Sequence, residues 1–189
     1  YNAGQIGDEN FIYYGRHVGG VVGRLSGTIE KAYNTGDIYN GYSTVGGVVG
    51  WWYSGGITNV FNTGNITVVN NDRENGISQT GGIVGAYGGS GATLSYAYNL
   101  GTIRSFSPYL FMMTDNNTQV RNTIGGIIGN IRGSNLRIDD VYTTGNLYAA
   151  VAGQDKTYSS STDGLGAIYG DGGGGATLSN ANYIAPEKS

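Results

Sequence analysis

Short apolar runs rich in Val, Ile and Tyr alternate along the chain with Gly, Asn, Thr and Ser. No segment keeps the helical apolar period of about 3.6 residues, so the pattern predicts strands separated by turns. One phrase, GGVVG or a close variant, recurs five times. Its copies lie at residues 19–23, 46–50, 81–85, 125–129 and, in divergent form, 166–170. We interpret each copy as a strand.

A second phrase follows four of these copies. It reads AYNTGDI at residues 32–38 and has variants at 60–66, 97–103 and 141–147. A unit this small cannot bury a core alone, so its apolar side chains must be covered by the units before and after it. The sequence predicts an all-β fold, a parallel β-solenoid of about five coils, forming one domain over residues 1–189. The general rule for parallel crossovers predicts right-handed winding.

The spacing of the repeats separates a constant part from a variable one. The distance from the first Gly of GGVVG to the Gly of the second phrase is 17, 18, 20 and 20 residues. The distance from there to the next unit is 10, 17, 24 and 21 residues. Length differences therefore collect at one point of each unit, which predicts variable loops on one flank, with inserts at 67–80, 104–123 and 148–164.

Aligned columns predict the interior. One buried file should contain Val21, Val48, Ile83 and Ile127, and another should contain Ile29, Ile57, Leu94 and Ile138. A third apolar column, Ala32, Val60, Ala97 and Val141, follows the second at an odd offset, which predicts a bend or bulge between them. We expect a hydrogen-bonded amide ladder of Asn34, Asn62 and Asn99, interrupted by Thr143. We also expect a stack of aromatic rings from Tyr33, Phe61, Tyr98 and Tyr142.

These phrases resemble the GLUG motif, a repeat of large bacterial surface and secreted proteins. Such proteins include filamentous-haemagglutinin-like adhesins and some immunoglobulin A1 proteases, in whose non-catalytic regions the motif occurs. The resemblance covers most of residues 18–184, although Ala167 replaces a Gly and residues 180–183 lack the aromatic phrase. It implies an extracellular structural or adhesive repeat domain, a rigid stalk or binding surface. It carries no catalytic residues.

Composition narrows the setting further. The chain has no Cys, which suits an exported bacterial repeat that needs no disulfides. Its formal net charge is −3, and no basic stripe is present to neutralise phosphates, so we exclude nucleic acid as a partner. No apolar run approaches the roughly 18 residues that a membrane span needs. The chain begins inside a recognisable copy of the second phrase, so we expect a fragment of a longer array.

Candidate catalytic chemistry is sparse, and we predict no enzyme activity, no cofactor and no metal. His17 is the only histidine, and we expect a loop or packing role for it. Asp139 and Asp140 are adjacent on a predicted strand and so point to opposite faces, which makes them poor partners for acid–base work. Asp163 and Asp171 lie near the last GGVVG copy. A glycan-active β-helix enzyme and a non-catalytic accessory region of a secreted protease remain alternatives.

Two groups of residues are candidate recognition surfaces. Trp51, Trp52 and Tyr53 follow the second GGVVG copy, and Tyr87 aligns with Trp52 one unit later. If Trp52 and Tyr87 face outward, they form an aromatic platform on which a host glycan or a surface protein can stack; alternatively, one Trp fills the interior. The second group, Phe106, Tyr109 and Phe111, lies in the longest insert and is a candidate contact with a protein or with adjacent repeats of the parent chain.

Overall fold

The computed structural model describes residues 1–10, 15–69, 77–107, 121–151, 164–172 and 175–184. Within these residues the chain forms strands and no helix, and each strand pairs in parallel with the equivalent strand of the neighbouring coil. This arrangement confirms the predicted all-β parallel β-solenoid of about five coils. The handedness of its winding stays a prediction.

In the described part of the chain each coil contributes one strand to each of four sheets, except that the fifth coil contributes to three of them. The first sheet contains β1 (His17–Gly19), β5 (Thr44–Gly46), β9 (Ile77–Gly81), β13 (Arg121–Gly125) and β17 (Leu165–Gly166). The second contains β2 (Val22–Ser26), β6 (Val49–Ser54), β10 (Val84–Tyr87), β14 (Ile128–Ile131) and β18 (Tyr169–Gly172). The third contains β3 (Ile29–Asn34), β7 (Gly56–Asn62), β11 (Thr93–Asn99), β15 (Leu136–Thr143) and β19 (Ala176–Tyr183). The fourth contains β4 (Ile38–Asn40), β8 (Ile66–Val69), β12 (Ile103–Ser107) and β16 (Leu147–Val151).

The GGVVG phrase is a sharp bend and not the single strand that the sequence predicted. In the second coil Gly46 ends β5, Gly47 and Val48 form the bend, and Val49 begins β6. The glycines are required because the first two sheets nearly touch. A Cβ on Gly46 would overlap the carbonyl oxygen of Val49, and one on Gly50 would lie 2.7 Å from the backbone nitrogen of Val18. Larger residues would force these two backbones apart.

Two apolar cores fill the solenoid, one on each side of a glycine–asparagine contact. The large core lies between the second and third sheets and contains Val49, Trp52 and Ile57. The small core lies between the first and fourth sheets and contains Val45, Ile66 and Ile103. Between them the bend meets the amide column: a Cβ on Gly47 would lie 2.5 Å from Cγ of Asn62. This close contact divides the interior in two.

Both predicted apolar files are confirmed. Successive members of each file lie opposite each other on neighbouring coils, as the hydrogen bond from Val48 N to Ile83 O and the pairing of Ile57 with Leu94 show. The members in coils 2 to 4 are buried, namely Val48, Ile83, Ile127, Ile57, Leu94 and Ile138. Val21 and Ile29 in the first coil are only half-buried.

The predicted irregularity between the apolar columns is also confirmed. One residue of each strand of the third sheet adopts left-handed backbone conformation and is skipped in the pairing register. These residues form what we call the left-handed column: Lys31 (φ 57°), Asn59 (φ 53°), Tyr96 (φ 51°), Asp140 (φ 49°) and Asn180 (φ 49°). Left-handed backbone costs roughly 1–2 kcal/mol for most residues, and Asn and Asp tolerate it best.

Both predicted side-chain ladders are present and begin one step earlier than predicted. Asn34 Nδ2 donates to Asn62 Oδ1 at 2.7 Å and Asn62 Nδ2 donates to Asn99 Oδ1 at 2.8 Å, while Asn2 adds a step before Asn34. The last step, from Asn99 to Thr143 Oγ1, lengthens to 3.5 Å, as the interruption by Thr143 predicts. The aromatic ladder likewise starts at Tyr1, and its ring centroids lie 4.8–5.0 Å apart.

The variable connections all leave the same point of the coil. Each joins a strand of the fourth sheet to the next strand of the first sheet, which is the topology that the spacing predicted. The predicted bounds of the inserts at 67–80, 104–123 and 148–164 are too wide, because the residues at their ends belong to strands such as β8, β9, β12 and β13. Residues 70–76, 108–120 and 152–163, where the predicted loops would project, lie outside the described residues.

Candidate functional site

The structure has the alternative arrangement, in which one Trp fills the interior, and not the outward platform of Trp52 and Tyr87. The two residues are in register on neighbouring coils as expected, but both are 0% exposed and their rings pack in the large core with centroids 4.9 Å apart. Trp52 Nε1 donates to the carbonyl oxygen of Ser54 at 3.0 Å. The sequence held a signal for this burial, because Leu25 and Ile131 occupy the same column in the coils on either side.

Trp51 and Tyr53 do lie on the outer face of the second sheet. Strand alternation turns Trp51 away from Trp52, and a register shift opposite β2 leaves Tyr53 as an extra residue on β6. Small residues of the next coil make room for the Trp51 ring. Ala86 is in register with Trp51, and a Cβ on Gly88 would lie 2.7 Å from Cζ2 of that ring. The indole therefore lies across two coils.

Two arginines from different coils flank these rings. The Arg24 guanidinium carbon lies 5.1 Å from the centroid of the Tyr53 ring, and Arg24 Nη2 donates to the Tyr53 hydroxyl at 2.6 Å. Arg132 lies over Trp51 with its guanidinium carbon 5.8 Å from the centroid of the indole ring. We call Arg24, Trp51, Tyr53 and Arg132 the arginine–aromatic patch. Sequence reasoning missed both arginines, although Arg24 is in register with Trp51.

Polar groups underneath position the patch. Gln79 is 1% exposed, and in the amide orientation that satisfies both of its polar atoms, its oxygen accepts from Nε and Nη2 of Arg132, each at 2.8 Å. His17 packs on Trp51 with ring centroids 5.1 Å apart, which fits its predicted packing role. The Arg132 guanidinium and the indole are thus held by buried or half-buried neighbours before any ligand arrives.

The electrostatics of the patch favour an anion. Burial lowers the pKa of His17 from its ordinary value, and the positive charges of Arg24 and Arg16 lower it further. The same column of the second sheet reads Arg24, Trp51, Ala86, Asn130 and Asp171, so its one acid lies three coils beyond Trp51. The acid of this column is therefore separated from the patch, whose own charged groups, Arg24 and Arg132, are both positive.

The other candidate recognition residues are placed only in part. Phe106 is half-buried on β12 and in register with Val69, so it belongs to the fourth sheet and not to a loop. Tyr109 and Phe111 lie outside the described residues.

Two of the acids named from the sequence, Asp139 and Asp140, are hydrogen-bonded to neighbouring residues. Asp139 accepts a hydrogen bond from Arg137 at 2.9 Å. A hydrogen bond from Ser179 contributes most to lowering the pKa of the Asp139 carboxyl group, and the one from Arg137 contributes next. Asp140 Oδ1 accepts from Asn180 at 2.9 Å. Asp163 lies outside the described residues. In the described part of the chain no three His, Cys, Asp or Glu side chains cluster so as to hold a metal ion, and no helix is long and apolar enough to cross a membrane.

Comparison with known proteins supports the resemblance drawn from the repeats. A family model described as the GLUG motif matches residues 14–39, a segment that includes β1 to β3 and the first two residues of β4 in the first coil. The chain therefore carries a GLUG motif, and the register of the sheets aligns the later coils with it residue by residue. No curated protein and no solved structure is significantly similar to the chain.

Proposed function

We propose that the chain is a structural and adhesive repeat domain of a bacterial cell-surface or secreted protein, working outside the cell. The GLUG motif supports this setting. The solenoid supplies a rigid scaffold, since every interior coil is hydrogen-bonded to both neighbours. The observation that carries the adhesive role is the arginine–aromatic patch, in which Arg24 and Arg132 flank two outward rings.

The chemistry of the patch fits an acidic glycan. Guanidinium groups bind carboxylates and sulfates through paired charge-assisted hydrogen bonds. Trp and Tyr offer large, rigid, partly apolar surfaces that bind sugar rings and dominate many recognition sites. Arg24 and Arg132 come from coils 1 and 4, so the patch extends along the solenoid axis. An extended chain of uronic acid or sulfated sugars can contact both arginines at once.

The catalytic alternative lacks a specific observation in its favour. Glycan cleavage requires two carboxyl groups on either side of the scissile bond. Asp139 is held by Arg137, and Asp140 is held by Asn180 on the neighbouring coil. The patch itself contains no acid. We therefore propose binding without turnover.

Titration calorimetry with hyaluronan, heparin and polygalacturonate tests this proposal. At least one of the three should bind the wild-type protein, and binding should weaken with added salt because charge pairs are screened. The double variant Arg24→Ala/Arg132→Ala should raise Kd at least about tenfold, since hydrogen bonds to charged groups are worth about 1.5–3 kcal/mol each.

Arg104→Ala is the matched control. Arg104 also lies over a tyrosine ring, 5.1 Å from the centroid of Tyr148, but it is on the fourth sheet, away from the patch. This variant should keep wild-type affinity. Failure of all three polyanions to bind, or equal losses in the Arg104 variant and the double variant, would rule the patch out.

A further inference from the structure

We propose that a second site, a groove on the outer face of the third sheet, binds a neutral sugar chain. The groove has a volume of about 410 Å³ and crosses coils 2 to 4. One wall is the left-handed column, through Asn59, Tyr96 and Asp140, and the other is the aromatic ladder. The second and third sheets enclose the large core between them, so the groove and the arginine–aromatic patch lie on different faces of the solenoid.

The aromatic ladder leaves one ring available at the end of the groove. Phe61 and Tyr98 are each stacked on both sides, with interplanar angles of 0–9°. Tyr142 has a ring neighbour on one side only, because Asn182 occupies the next position of the column. Asn182 turns its amide toward the carbonyl oxygen of Asn180 at 3.3 Å. Tyr142 is accordingly the most exposed of these three rings, and the C–H face of a sugar can continue the stack beside it.

Tyr96 supplies the opposite wall at a conformational cost that packing does not explain. It is a bulky aromatic residue with φ 51°, in a column whose other members are Lys31, Asn59, Asp140 and Asn180. A bulky residue with positive φ is a genuine outlier, and such outliers concentrate at binding sites. Tyr96 is 59% exposed, so burial does not offset the strain. A contact between the exposed Tyr96 ring and a bound sugar accounts for an aromatic residue at this strained position.

The polar groups of the groove suit hydroxyl groups better than ions. The amide of Asn59 and the carboxylate of Asp140 flank Tyr96 on the neighbouring coils, at the strand spacing of about 4.8 Å. Among the described residues that line the groove, Asp140 is the one charged residue and none is basic. A polyanion is therefore disfavoured here. Convergent amide, carboxylate and phenol groups beside aromatic rings are what a neutral sugar needs for orientation and stacking.

The variant Tyr96→Asn separates ligand binding from folding. Asn tolerates left-handed backbone and already occupies this column in Asn59 and Asn180, so the substitution should leave Tm unchanged or raise it. Affinity gel electrophoresis against soluble mixed-linkage β-glucan, arabinoxylan, galactomannan and dextran should show wild-type retardation by at least one of them. Tyr96→Asn should weaken that binding at least tenfold.

Tyr148→Asn is the matched control, since Tyr148 is 49% exposed on the fourth sheet. It should bind as the wild type does, and so should the Arg24→Ala/Arg132→Ala variant, which separates this site from the patch. The proposal is overturned if none of the four polysaccharides binds. It is equally overturned if Tyr96→Asn binds as tightly as the wild type, or if Tyr148→Asn loses as much affinity.

Discussion

The large core between the second and third sheets is lined by aliphatic and aromatic side chains in every coil, whereas the small core also buries the hydroxyl groups of Ser and Thr. Ser78, Thr80 and Ser105 are all buried there, and Ser78 Oγ lies 3.2 Å from Ser105 Oγ and 3.3 Å from Thr80 Oγ1. The large core belongs to the stretch of nearly constant length, and the variable connections attach beside the small core. The segments whose length is nearly constant between coils therefore enclose the apolar core. The segments whose length varies adjoin the core in which apolar side chains are mixed with hydroxyl groups.

The largest expected effects come from emptying the large core. Trp52→Ala should lower the free energy of unfolding by about 3–5 kcal/mol, and Ile83→Ala by about 2–5 kcal/mol, because both side chains are fully buried and leave cavities. Urea denaturation measures both losses.

Trp51→Ala is the control on the same strand, and it should cost less because Trp51 is only half-buried. Ile66→Ala makes the same kind of change in the small core. Equal losses for Trp51 and Trp52 would contradict the assignment of Trp52 to the interior. A negligible loss for Ile83 would contradict the assignment of its file.

A smaller effect is expected at the amide column between the two cores. Asn62→Ala removes one hydrogen-bond partner from Asn34 and one from Asn99, which keep their hydrogen bonds to Gly36 and Gly101, so it should lower the free energy of unfolding by about 1–3 kcal/mol in total. Thr143→Asn should do the opposite and stabilise the protein by about 0.5–1.5 kcal/mol, because it supplies an amide where the ladder now ends in a 3.5 Å contact. Thermal melts of the two variants should shift in opposite directions. Shifts of the same sign would show that the ladder does not join the coils.

The smallest effect concerns His17, at the edge of the first sheet. Its pKa is lowered in the folded protein, so the unfolded chain binds more protons and stability falls as the pH drops below about 6.5. His17→Gln should remove this part of the decrease in Tm between about pH 7 and pH 5.5, while carboxylate protonation affects both proteins alike. Identical pH profiles for the wild type and the variant would mean that His17 does not titrate differently on folding.

Repetition made the large core predictable from sequence. Residues such as Ile57 and Leu94 align across coils of different length, and a shared column is evidence of a shared environment. The burial of Trp52 could also have been predicted, because Leu25 and Ile131 occupy the same column in other coils and are apolar. The bend at the GGVVG phrase could not be predicted from the local sequence. Val and Ile favour strands, and only the neighbouring backbone, which Gly46 and Gly50 allow to approach, reveals the bend.

The candidate sites were harder to predict because they join residues from different positions of the repeat. Arg132 lies over Trp51 although the two differ by two coils, and the Trp51 ring reaches over Gly88 only because that residue has no side chain. Tyr96 belongs to the left-handed column. The odd offset between the apolar columns predicted a bend or bulge at this point, but not a left-handed backbone conformation. Sequence periodicity locates the columns, but it does not say which outward side chains lean across several coils.

The hydrogen bonds of the amide ladder all point the same way along the solenoid axis, whereas those of the backbone do not. Backbone hydrogen bonds between coils run both ways, from Val21 N forward to Val48 O and from Thr35 N back to Asn2 O. The amides of Asn2, Asn34, Asn62 and Asn99 all donate forward, toward the C-terminal coils. Their dipoles add and polarise one another, as in other hydrogen-bonded chains. The two ends of the stack are therefore electrically unlike, and a coil inserted in reverse orientation would meet donor with donor.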